Sequence, residues 1–188
     1  MNLLSPPRAA MLFLVAAAIA SVALTGMHAA SAANSKDVAR AKNTKKFGEC
    51  IRCNLSNADL RNGFFQLANL IEADLSGAKF DGSNMAGAQL NNANLSNASF
   101  VYTNFSGAQF QGADMRGANF SNAWFNWAWF VGAKLHGADF TDAKMIGAQL
   151  QGADFSKVVG LTESQLRYAC GDSQTKLPAG ISAPRCPF

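Results

Sequence analysis

Between Cys53 and Lys157, apolar and polar positions follow a period of five that never loses phase. A large apolar residue recurs at every fifth position, from Leu55, Leu60 and Phe65 to Leu150 and Phe155, 21 times in all. Two residues ahead of each stands a small one, Ala in 17 units and Cys53, Gly63, Ser83 or Thr103 in the rest. The residue between them is most often Asp or Asn. Five fits neither an α-helix, with its period of about 3.6, nor a plain strand, with its period of about 2. Within a unit, however, the small and large residues are two apart, so they face one side of a short extended piece. The other two positions are polar or small. The second of them is Gly in ten units and Asn in five, the types that tolerate positive φ in tight turns. Each unit therefore reads as one short side plus one corner. Four corners close a ring, so roughly 20 residues make a coil, and coils stack like neighbouring strands about 4.8 Å apart. Such an array buries its apolar side only by stacking its units.

Segments such as ADLSGAKF, NNANLSNASF and QGADMRGANF resemble the repeat of the pentapeptide-repeat family, and the resemblance covers more than half of the chain. It implies an all-β solenoid, a right-handed quadrilateral β-helix, here of about five coils over residues 48–160, ending in a short C-terminal capping helix. The family is known for its shape rather than for one activity. Some members imitate DNA and bind type II topoisomerases.

Residues 1–32 have the layout of a secretory signal peptide. Arg8 supplies a positive start, Ala9 to Leu24 an apolar run, and Ala30-Ser31-Ala32 a processing site with cleavage after Ala32. The run is short for a membrane span. The expectation is a mature protein that is periplasmic or secreted, with no stable span after cleavage. Residues 33–47 form a basic leader, with Lys36, Arg40, Lys42, Lys45 and Lys46 against Asp37, read as a solvated approach to the solenoid that holds at most one helical turn.

Cys50 and Cys53 fall in the inward registers at the first end of the solenoid. The C-x-x-C spacing suits a redox pair or half of a zinc site. Zinc needs two further ligands, and the other cysteines lie at the far end, so a cap is expected, either a local disulfide or two packed thiols. From Leu161 the period stops and residues 161–188 form a capping helix and tail. Thr162 reads as the N-cap, Gln165 completes a capping box, Leu161 staples to Leu166, and Gly171 ends the helix. A disulfide between Cys170 and Cys186 would close the tail in an oxidising compartment.

Stacking at intervals of about 20 places Leu60, Phe80, Phe100, Phe120 and Phe140 in one inner column. It also sets Asp114, Lys134 and Asp154, and Asp59 with Lys79, in outer columns of alternating charge. One stretch breaks the polar-outside rule. Trp124 and Trp129 occupy outward positions usually given to Asn or Asp, and Trp127 a corner usually given to Gly or Asn. Phe64 shares the column of Trp124, and Tyr102 is another bulky corner. Exposed aromatics gathered together mark an interaction surface. These five residues are the candidate site, and the competing expectation is that the rings only pack on their own chain.

Charge and chemistry narrow the functions. The net charge is +4, while residues 53–157 carry eight acidic and six basic side chains, a balance of −2. A DNA mimic needs a strongly acidic rod, so that activity is the weaker alternative, and basic residues gathered in the leader rather than along one face do not favour nucleic-acid binding. After cleavage the only histidine is His136, with no partner placed for a triad, and carboxylates are scattered outward. No catalytic residue, cofactor or metal is expected. The reading is a non-catalytic exported scaffold whose surface binds a protein or itself, with a polysaccharide as the other possible ligand.

Overall fold

The computed structural model describes residues 33–43, 49–182 and 186; the segment read as a signal peptide lies outside them. By internal contacts the chain divides after Ser31, and every described residue belongs to the unit Ala32–Phe188.

Residues separated by twenty pair through parallel backbone bridges, beginning at Asn54↔Asp74 and continuing to Asp139↔Val159. The bridges fall every five residues, so they form four columns of rungs and give the coil four sides. Among the described residues each rung is an isolated bridge rather than part of an extended strand. The cause is the repeat itself: two corner residues interrupt the extended backbone after three, and only the middle one can pair on both sides.

The backbone donors of a unit can be followed one by one. In the unit ending at Gly82, Lys79 N–H reaches Ala58 O of the coil before, at 2.9 Å, and Phe80 N–H reaches Ser99 O of the coil after, at 2.8 Å. Gly82 N–H donates to Val101 O at 2.8 Å, and Ser83 N–H closes the corner onto Phe80 O at 3.0 Å. Four donors in five are thus held by backbone. The fifth, at the first corner position, is met by the side chain two residues earlier: Ser76 N–H donates to Asp74 Oδ1 at 3.0 Å, Ser96 N–H to Asn94 Oδ1 at 3.1 Å and Ser106 N–H to Asn104 Oδ1 at 3.0 Å. The preference for Asp or Asn at the outward position follows, because these side chains form an Asx turn over their own corner.

All 21 large residues of the repeat are buried, none exposing more than 2% of its surface. The Phe column is present, with Phe80, Phe100 and Phe120 stacked at 5.3 Å. Polar residues at the small inward position are satisfied: Ser83 Oγ donates to Leu60 O at 3.0 Å and accepts Gly63 N–H at 3.0 Å, and Thr103 Oγ1 donates to Phe80 O at 2.8 Å. Gly63 leaves room for the Phe65 ring, which a Cβ there would strike.

Both ends of the ladder are covered. Residues 35–41, read as part of a solvated leader, form helix α1 (Ser35–Ala41), with Asn34 as its N-cap and Ala41 buried. Asn34 N–H donates to Asn54 O at 3.1 Å, and Asn54 N–H donates to Asp37 Oδ2 at 2.9 Å. This segment thus supplies the first rung with the partners that a preceding coil would give.

At the other end, helix α2 (Glu163–Leu166) stands where the rung after Lys144 would fall. Its capping box is formed, and Gln165 Oε1 accepts Thr162 N–H at 2.7 Å. Gln165 Nε2 also donates to Ala143 O at 2.9 Å, the acceptor that a further coil would reach, and to Phe140 O at 2.8 Å, which also accepts the Ala143 N–H of its own corner. The helix stops at Leu166, short of Gly171, because the chain rejoins the ladder: Cys170 pairs with Gln149 and Lys176 with Asp154, at offsets of 21 and 22.

A charge in this interior has no compensating group within reach. Phe120→Asp is therefore expected to abolish the cooperative thermal transition, a loss of more than about 4 kcal/mol, read by circular dichroism. A soluble variant melting like the parent would contradict the inward register.

Candidate functional site

The tryptophans sit where the corner chemistry is broken. Trp124 and Trp129 occupy rungs, Trp124 between Asn104 and Lys144 and Trp129 between Gln109 and Gln149. Neither can accept the N–H of its own corner as Asp or Asn does. Trp127 lies at the corner between them, at φ 60°, a region that costs a non-glycine residue on the order of 1–2 kcal/mol. Its indole lies over the Gly147 corner of the next coil, where a Cβ would meet Trp127 Cδ2 and Cζ3 at 2.6 Å. The absence of a side chain at Gly147 makes room for the ring. The packing is one-sided: Trp127 remains 62% exposed, Trp129 49% and Trp124 45%. Lys144 Nζ stands 5.2 Å from the Trp124 ring centre, within cation–π range.

The register assigns the other candidates. Phe64, 75% exposed, lies in the Trp124 column with the Asn84 and Asn104 rungs between them. It stands about 14 Å away at strand spacing, so the fold does not bring it to the indoles. Tyr102 lies on the corner at the other side of the Trp124 face, one coil earlier. Two residues not named from the sequence extend the indole edge. Ile146 is exposed beside Trp127, whose N–H donates to Ile146 O at 2.9 Å, and Tyr168 follows, with Gly147 N–H donating to Tyr168 O at 2.8 Å. Ile146 is legible from the spacing, twenty after Asn126. Tyr168 is not, because it lies in the out-of-period segment.

The surroundings of the indoles are neutral. On the shared edge and at the outward positions of the two faces flanking it, from Phe64 to Gln149, stand amides, small residues and apolar ones, and Lys144 is the single charged residue there; Glu72, Asp81 and Asp142 lie at the far corners of those faces. Charges gather on the remaining sides, in pairs other than those the columns suggest. Asp59 pairs with Arg61 at 2.6 Å rather than with Lys79, Asp114 with Arg116 at 2.5 Å rather than with Lys134, and Asp154 with Lys176 at 3.5 Å. An Arg at the first corner position follows the Asp by two residues, so its guanidinium and its N–H both reach that carboxylate. Arg61 hydrogen bonding holds Asp59 down to about 2. Arg116 likewise lowers Asp114. For Asp139 burial acts upward, and hydrogen bonds from Thr141 and Ser121 outweigh it.

Diagonally across the coil from Trp127, a surface groove of about 300 Å³ is lined by Ala133, Lys134, Leu135, His136, Asp154, Ser156 and Lys157. Among the described residues no cluster of His, Cys, Asp or Glu could hold a metal ion, and no helix is long and apolar enough to cross a membrane. Two cysteine pairs lie at disulfide distance, Cys50 with Cys53 at a Cα separation of 5.1 Å and Cys170 with Cys186 at 4.5 Å.

The four-sided ladder, inward Ala and Leu/Phe columns and left-handed corners define a pentapeptide-repeat solenoid. Residues 100–144 match a family model described as pentapeptide repeats, with nine copies, and residues 49–87 match a second pentapeptide-repeat model, with eight copies. The chain belongs to the pentapeptide-repeat family. Among solved structures it is similar to HetL, a pentapeptide repeat protein involved in heterocyst differentiation regulation from the cyanobacterium Nostoc sp. strain PCC 7120. That likeness is 24% identity over 71% of this chain and 65% of HetL, with a TM-score of 0.43. It is similar to Rfr23 from the cyanobacterium Cyanothece 51142, at 23% identity over 76% of this chain and 98% of that one, TM-score 0.35. QnrB1, a plasmid-mediated fluoroquinolone resistance protein, gives 20% identity over 69% of this chain and 68% of its own, TM-score 0.37. Likeness at these identities concerns the fold alone. The chain spans just under two thirds of HetL. A comparison with curated proteins gives no match.

The lowered carboxylates make stability depend on pH in one direction. A carboxyl whose folded pKa lies below its unfolded value, about 3.9 for Asp, contributes above that value and loses its contribution as pH falls through the folded pKa. With Asp59 at about 2, and Glu72, Asp114, Asp139, Asp154 and Asp172 also lowered, the loss falls between about pH 4 and pH 2. Thermal melts should give a flat Tm from about pH 5 to 8 and a decline below about pH 4. A Tm falling between pH 5 and 8 would show that other groups dominate.

Proposed function

We propose that this chain is a non-catalytic, exported pentapeptide-repeat scaffold, a right-handed quadrilateral rod of about five coils that binds a protein through its tryptophan edge. One observation carries the reading: three indoles, 45–62% exposed, stand on one edge where the repeat elsewhere supplies Asn, Asp or Gly. Trp124 and Trp129 do not offer their corners the acceptor that Asp or Asn gives elsewhere, and Trp127 holds a positive φ. Large amphipathic rings on a neutral surround are the composition of an interface core. Imitation of DNA is the weaker reading. QnrB1 shares the fold only, and between Phe64 and Gln149 the tryptophan edge and the outward positions of its two faces hold no carboxylate, those nearest, Glu72, Asp81 and Asp142, lying at the far corners.

Replacing Trp124, Trp127 and Trp129 by Asn, Gly and Asn separates binding from self-packing. The new Asn side chains can accept their corner N–H groups and Gly relieves the positive φ. Loss of the packing over Gly147 offsets this, so Tm is expected within about 1 kcal/mol equivalent of the parent. Photo-crosslinking from position 127 should capture a partner that the triple variant does not bind. A variant that melts well below the parent and loses no partner would mean that the rings serve only their own chain.

Export and oxidation go together in this reading. Cleavage after Ala32 leaves a mature chain that begins with the segment capping the first coil, in a compartment where Cys50–Cys53 and Cys170–Cys186 are oxidised. Intact-mass measurement of exported protein should give a chain starting at Ala33 that gains the mass of four hydrogens on reduction. Retention of Met1, or no mass change on reduction, would remove the oxidising-compartment argument.

A further inference from the structure

We infer that the tryptophan edge of one chain docks into the groove on the diagonally opposite edge of a second copy, so that rods assemble side by side in an open row. The inference rests on the binding role of the tryptophan edge and specifies its occupant.

The two surfaces complement one another. The Trp127 ring has one face against Gly147 and the other free, and it is the most exposed of the three indoles. Trp124 is already engaged by Lys144. The groove runs over the backbone of Ala133 and Leu135, whose side chains are buried in the core, with His136 beside the exposed Lys134 and Lys157 at its sides. Neither lysine has an ion-pair partner among the described residues, and the groove's one carboxylate, Asp154, is paired with Lys176. An aromatic face attracts a cation, more strongly as water is excluded. The edge has no carboxylate to compete for those lysines. At about 300 Å³ the groove sits at the lower limit of small-ligand clefts, room for about one ring system rather than for a folded segment.

Geometry favours a lateral contact between unlike surfaces. Both ends of the ladder are closed, by α1 with Asp37 and by α2 with Gln165, so end-to-end pairing through open rungs is blocked. Trp127 projects from a convex corner, and two such corners pressed together bury little, whereas a corner set into a groove buries its ring. Edge and groove lie on opposite corners at heights within about one coil spacing, roughly 5 Å. A contact between unlike patches on opposite sides does not close on itself and propagates.

Complementation tests this. One variant, Trp127→Gly, lacks the edge. The other, Lys134→Ala with Lys157→Ala, lacks the groove. All three positions are exposed, and each variant is first shown to melt like the parent. By sedimentation equilibrium up to about 200 µM, where a micromolar contact is populated, the parent should exceed a dimer in mass. Each variant alone should bind itself at least about tenfold more weakly, equivalent to roughly 1.4 kcal/mol. An equimolar mixture should form a dimer and stop there, since one intact edge meets one intact groove. A monomeric parent overturns the inference, as do variants that still associate alone or a mixture that stays monomeric. If the parent is monomeric and crosslinking from position 127 captures another protein, self-association fails while the binding role stands. A monomeric parent whose tryptophan fluorescence titrates with cellohexaose overturns both in favour of a glycan ligand.

Discussion

The structure depends on one constraint, the twenty-residue register of the parallel ladder. Each side of the coil contributes one bridge, and a single bridge is worth little alone. Three backbone donors in every five residues are satisfied only when the coils before and after are in place, and a fourth closes its own corner. The interior imposes the same register, since Phe80, Phe100 and Phe120 stack at 5.3 Å only if each is twenty from the next. Hydrogen bonding and apolar stacking therefore select one alignment. An insertion of one residue would turn every later side chain off its column.

The ends show how such an array is finished. A ladder leaves unpaired groups on its first and last coils, an invitation to indiscriminate pairing. Here Asp37 and the backbone of Asn34 answer the first rung, and Gln165 answers the carbonyls of Phe140 and Ala143. One side chain serves both the capping box of α2 and the last coil. The tail after α2 then rejoins two columns at offsets of 21 and 22, bringing Cys170 and Tyr168 into positions that the repeat alone would not assign.

On the proposed reading, function in this architecture is written as departures from the corner rule. Asp and Asn at the outward position are structural, because they accept the one corner N–H that the backbone leaves over. Replacing them with Trp at two rungs, and a Gly or Asn corner with Trp, gives up that service and leaves three rings in water. The neutral faces beside them and the cationic groove diagonally opposite give the rod two unlike edges.

The residues alone determined the coil: the unbroken period, the inward identity of all 21 large residues, the Phe column and the corner positions follow from local geometry, because each unit repeats one conformation. The capping box of Thr162 and Gln165 was legible for the same reason, as was the break at the tryptophans. Tertiary structure decided what the period does not encode. Whether Asp59 meets Lys79 or Arg61 turns on side-chain reach around a corner. That Trp127 lies flat on Gly147 requires the next coil to be present, and that Phe64 lies apart follows from two intervening polar rungs. Residues 35–41 are too few and too polar to announce a cap. Their helix is held because Asp37 and Asn34 meet Asn54, a contact that exists only once the first coil has closed.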